Sequence, residues 1–183
     1  MRSLVLSLAA VIFMPLTVSA QEMSVTRQES GGPSNVLSIQ PLNAVTLTMY
    51  SAEYERKTGG AVSVGVGGTY WDVGEDEDLT YASGDLKLRY YPQGTALQGF
   101  SFGGSVGFSS VSATNVFDGT EESVSGASIG ILIEYQWLMG VKRNFALALG
   151  LGAKAVMVDE DEISSDDFIA RYPTARISVG FAF

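Results

Sequence analysis

The chain has 183 residues, 46% hydrophobic and 17% charged, with 20 acids against 11 bases and a formal charge of −9. It contains no Cys and no His, which excludes a disulfide framework, a catalytic thiol, Ser-His or Cys-His catalysis and the usual zinc sites. The acidic balance argues against nucleic acid as a partner, and no cofactor is expected.

In chain order, Arg2 and the apolar run 4–14, broken only by Ser7, lead to Val18-Ser19-Ala20. This is the pattern of a signal peptide over residues 1–20, cleaved before Gln21. The run is well short of the ~20 apolar residues that a membrane-spanning helix needs. Residues 21–34 (QEMSVTRQESGGPS) are polar and without period, and read as a flexible N-terminal segment. The ordered unit is expected over 35–183.

From Asn35 onward the period is two. A short first strand, 35–40 (NVLSIQ), meets a tight bend at 41–44 (PLNA), and a second strand runs over 45–54. Next, Val62, Val64, Val66 and Tyr70 alternate with Ser63, Gly65, Gly67, Thr69 and Trp71, and Leu86, Leu88 and Tyr90 alternate with Asp85, Lys87 and Arg89. Phe100, Phe102, Val106 and Phe108 follow on one face, against Ser101, Gly103, Ser105 and Gly107 on the other. The same holds for Ile129, Ile131, Ile133, Tyr135 and Trp137, then for Phe145, Leu147, Leu149 and Leu151, and last for Ile177, Val179, Phe181 and Phe183. No stretch carries a helical apolar stripe, so β-strands with almost no helix are predicted.

The second face of these strands is mostly Gly, Ala and Ser. Small residues are needed where side chains converge inside a narrow barrel, which sends the large apolar side chains outward. An outward apolar band is stable in lipid, where a closed barrel satisfies every backbone polar group. Tyr50, Tyr54, Tyr70, Tyr90, Tyr135, Trp137, Phe145 and Phe183 fall near strand ends, where interfacial girdles belong.

Three connections are long and acidic, 72–79 (DVGEDEDL), 112–124 (SATNVFDGTEESV) and 159–167 (DEDEISSDD). Three others, 56–60, 92–99 and 139–144, are shorter, and two of them carry base pairs, Arg56-Lys57 and Lys142-Arg143. Long outer loops alternating with short periplasmic turns fit an antiparallel meander. Counting back from Phe183 at the periplasmic end makes eight strands, an all-β, up-and-down transmembrane β-barrel.

The export signal, the eight-strand meander and the closing run Ile177-Ser178-Val179-Gly180-Phe181-Ala182-Phe183 resemble the small bacterial outer-membrane barrels of the OmpA/OmpX/Opa type. Residues 47–66 (LTMYSAEYERKTGGAVSVGV) resemble the uncharacterised barrel domains of that superfamily. The resemblance covers nearly all of the chain after residue 20. It implies an outer-membrane location, a monomer, contact with outer-membrane lipid and lipopolysaccharide, and an assembly signal at Phe181 and Phe183 read by the barrel-assembly machinery. Because the chain stops at the barrel, no peptidoglycan-binding domain is expected. Enzymes on such barrels use a His, so no catalysis is expected either.

Local motifs add little. Gly150-Leu-Gly152-Ala-Lys154 lacks the Ser/Thr and the helix of a phosphate-binding loop. The acidic runs lack EF-hand spacing. They read as solvated loops with no defined metal, at most bridged to lipopolysaccharide phosphates by divalent cations. Alternation sends Glu53, Asp85, Lys87, Arg89, Glu134, Lys154 and Arg176 inward, and unpaired buried charge is costly. These seven are expected to form one lumen network with Glu134 as its hub. Three functions follow: a non-catalytic envelope protein presenting acidic loops, a narrow porin-like channel for ions or small solutes, or a soluble exported barrel for a hydrophobic ligand.

Overall fold

Eight strands follow from the alternation, and each finds its neighbour in chain order. A computed structural model describes residues 32–72, 79–114, 121–158 and 169–183. The elements are β1 (Asn35–Ile39), α1 (Pro41–Leu47), β2 (Met49–Lys57), β3 (Val62–Asp72), β4 (Leu79–Tyr90), β5 (Gly99–Thr114), β6 (Glu121–Met139), β7 (Phe145–Val158) and β8 (Ile169–Ala182). They form a closed barrel in which each strand is antiparallel to the next and β1 closes against β8. Closure over Val36–Ile39 and Val179–Ala182 removes the sheet edge along that part of the wall, an edge that lipid cannot hydrogen-bond. Of the three acidic connections, residues 73–78, 115–120 and 159–168 lie outside the described residues, as does the signal peptide; 112–114 and 121–124, expected in the second connection, instead belong to β5 and β6, where Thr114 pairs with Glu121.

The connections divide into two ends. Residues 58–61, 91–98 and 140–144 lie at the end where the chain finishes, and α1 lies at the other, where β3 ends at Asp72 and β4 begins at Leu79. Phe183 clamps the closing pair: its N–H donates to Asn35 O at 2.9 Å, and its carbonyl accepts from the N–H groups of Ser34 and Asn35, each at 2.9 Å.

Two further sequence expectations need correction. Residues 41–47 are a helix rather than a bend and the start of a strand, and β2 begins only at Met49. Pro41 suits a first helical turn because its missing N–H has no partner there anyway. Thr48, at φ 53°, then ends the helix in the left-handed region and turns the chain into β2. Secondly, Arg56 and Lys57 belong to β2, which continues past residue 54; the connection is 58–61. Lys57 N–H donates to Ser34 O at 2.9 Å, which keeps this end of β2 in the sheet.

The two faces part as the alternation requires. Large apolar side chains cover the outside, with Ile131 71% and Leu151 70% exposed. Tyr50 and Tyr70 stand outward near the α1 end, and Tyr90, Trp137, Phe145, Phe181 and Phe183 outward near the other. Inside, serines and glycines make room: a Cβ on Gly152 would stand 2.3 Å from the Ile131 carbonyl oxygen. The buried apolar cluster is small and lies at the chain-terminal end, where Val36, Tyr91, Ala96, Leu97, Ala146 and Ala182 pack together. The connection 91–98 folds back into that mouth, held by Ala96 N–H to Gly60 O at 2.7 Å and Gln136 Nε2 to Leu97 O at 2.8 Å.

Candidate functional site: the charged lumen

The interior at mid-barrel is a set of paired charges. Glu53 on β2 receives three bases: Lys87 in direct contact, Arg89 Nη2 at 2.7 Å and Arg176 Nη1 at 2.7 Å. Arg89 on β4 lies among three carboxylates, with Nη1 3.2 Å from Glu55 and Nε 3.5 Å from Glu134. Arg176 on β8 also reaches Glu134, at 3.1 Å. Nearer the α1 end, Lys154 Nζ donates to both oxygens of Asp85, at 2.9 and 3.1 Å. The structure thus places all seven candidate charges in ion pairs, in two clusters rather than the one network expected: Glu53, Lys87, Arg89, Arg176 and Glu134 in one, Asp85 and Lys154 in the other.

The sequence reading missed Glu55. Ending the second strand at 54 hid it, yet it lies two residues after Glu53 and therefore on the same face. It is 3% exposed, and it accepts hydrogen bonds from Ser63 Oγ and, at 2.7 Å, from Tyr91 OH. With it the paired acids are Glu53, Glu55, Asp85 and Glu134, against Lys87, Arg89, Lys154 and Arg176. Burial, with the Glu55 carboxylate beside it, pushes the Tyr91 phenol well above its usual range. The hub also differs from expectation. Glu53 collects three bases, Lys87, Arg89 and Arg176, and Glu134 only the two arginines.

Chemically, such an interior holds charge in place and fills space. From the chain-terminal end the lumen is blocked first by the apolar cluster around Leu97 and then by the ion pairs. Toward the α1 end there remains a cavity of about 560 Å³, bounded by Met49, Trp71, Tyr81 and Tyr172, with Asp85 and Lys87 toward the ion pairs. Among the described residues no cluster of three or more acids is placed to hold a metal ion.

A closed, eight-stranded antiparallel barrel with an apolar exterior is a fold found in small bacterial outer-membrane barrels. Two solved structures are similar to it. The N-terminal β-barrel domain of OprF from Pseudomonas aeruginosa superposes with a TM-score of 0.50 and 16% identity, over 83% of this chain and 98% of that one. Ail, the attachment invasion locus protein of Yersinia pestis, superposes with 0.51 and 12%, over 83% and 99%. At these identities the likeness is one of fold. No family model and no curated protein sequence matches the chain.

Proposed function

We propose that this protein is a non-catalytic integral protein of the bacterial outer membrane, exported by its N-terminal signal, that supports the envelope and presents acidic loops outside. The observation that carries this reading is the inversion of the usual core: Ile131, Leu151, Val106 and Leu86 are more than half exposed on the outside, while Arg89 and Glu134 are 1% exposed within. In water that arrangement is unfavourable on both faces; in lipid it is favourable on both. A soluble barrel for a hydrophobic ligand would need the opposite faces. The absence of any His in the chain supports a non-catalytic role.

The interior argues against a steady channel. Each lumen base faces an acid within ion-pair distance, and the apolar cluster lies in series with them. Purified protein in planar bilayers is expected to show at most brief, small conductance steps. Extraction from membranes by alkaline carbonate without detergent would overturn the membrane reading, and stable ion-selective openings would overturn the plugged-lumen reading.

A further inference from the structure

The barrel is closed along only part of its height. The β1–β8 ladder is limited to Val36–Ile39 against Val179–Ala182, whereas β7 follows β8 up to Ile169. Above Ile39 the wall between β2 and β8 has no strand in it. Two strand spacings leave a gap of roughly 10 Å, and α1, a helix of about 10–12 Å diameter, stands there, packed against β2 and β8. In β8 the N–H and carbonyl of Phe183 both bond to Asn35, so alternate residues back along the strand, Phe181 to Arg171, turn their backbone groups to this seam. Pro173 falls in that series, and Pro is tolerated where a strand is an edge. A seven-residue helix containing Asn43, Val45 and Thr46 has little stability of its own.

Two spaces flank the seam. On the lipid side, a groove of about 430 Å³ runs beside α1 between Ile39, Ala44, Ala52 and Tyr70. On the lumen side is the 560 Å³ cavity already described, a size within the roughly 300–1,000 Å³ of small-molecule sites. Both are bounded by Gln40, Ser51, Thr69 and Ser83, so one layer of residues separates them. The charged groups that border the cavity are Lys87, Arg89, Lys154 and Arg176 against Asp85; Glu53, Glu55 and Glu134 lie behind the bases. Lys87 is the most open of the paired charges, its side chain 20% exposed.

We propose that the β2–β8 seam is a lateral port, stoppered by α1, through which a single-chain anionic amphiphile of the fatty-acid type passes from the outer leaflet into the lumen cavity. Its carboxylate would meet Lys87, and its chain would lie along Trp71, Tyr172 and the groove beside Ala44. A chain with one tail fits beside a helix that fills most of the gap. The proposal rests on the membrane reading above, and the test separates the two.

Trp71 borders the cavity and Trp137 faces outward at the other end, so Trp137→Phe leaves one tryptophan as a reporter. The W137F protein in phosphatidylcholine vesicles is titrated with 9,10-dibromostearate. Saturable quenching of Trp71 is expected, reversed by excess oleate and reduced at least twofold by Gln40→Phe or Ala44→Phe, either of which fills the junction without touching the ion pairs. Quenching that rises linearly with bromine in the bilayer, ignores oleate and is unchanged in both variants would overturn the port. So would equal quenching by a short water-soluble bromoacid with no effect of either variant, which would mean entry from water at the open mouth. The same vesicles are run unheated and boiled on gels. Failure to insert would overturn the membrane reading, whereas insertion with linear quenching overturns the port alone.

Discussion

Glu53 is the position where the lumen network is most exposed to damage. Glu53→Ala removes the carboxylate that faces Lys87, Arg89 and Arg176. Arg89 keeps Glu55 and Glu134, and Arg176 keeps Glu134. Lys87 loses the acid to which it is paired. Removing one partner from a buried pair costs about 3–5 kcal/mol, because the remaining charge stays buried without compensation. Glu134→Ala removes contacts from the two arginines only, and both retain Glu53, so its cost is expected near the 1–3 kcal/mol of a buried group left short of one partner. The order is therefore Glu53→Ala well below Glu134→Ala in stability. Adding Lys87→Met to Glu53→Ala should restore part of the loss by removing the orphaned ammonium. Urea titration of protein in lipid vesicles, read by tryptophan fluorescence and by the fraction of heat-modifiable band, measures all three variants. Glu134→Ala costing as much as Glu53→Ala, or no recovery in the double variant, would refute the partner assignment.

Three further outcomes follow from the same geometry. Ile131→Arg and Leu149→Arg point into lipid and should each cost about 2–4 kcal/mol in vesicle unfolding, and labels at these positions should be quenched by lipid-soluble reagents while labels at 130 and 150 are not. Gly152→Ala should lower the unfolding midpoint, since its Cβ would stand 2.3 Å from the Ile131 carbonyl oxygen, whereas Gly84→Ala, with nothing within 4 Å, should be silent. Deleting Phe183 removes the backbone clamp on Ser34 and Asn35 at net worth about 0.5–1.5 kcal/mol per hydrogen bond, so it should destabilise refolded barrel more than Phe183→Ala does. In cells, the deletion should also reduce outer-membrane insertion if Phe181 and Phe183 are the assembly signal, as fractionation would show.

The alternation of Val62–Val64–Val66 with serine and glycine was enough to place the strands, their faces and their meander, because a period of two admits one pleat and the small face can only turn toward a crowded axis. The inward charges were legible for the same reason: Asp85, Lys87 and Arg89 share a face whatever the barrel's details. Three features were not legible. Glu55 depended on where β2 ends, which is decided by Lys57 bonding to Ser34, a contact between residues far apart in the chain. The helix at 41–47 reads as strand from Val45-Thr46-Leu47-Thr48, and it forms where β1 stops pairing and a gap of helical width opens beside β8. Which acid meets which base was set by the registers across β2, β3 and β4, and by closure of β8 onto β1, which brings Arg176 to Glu53 across 123 residues. Local pattern determines which way a side chain points; only the closed ring, with its stagger, determines what it meets there.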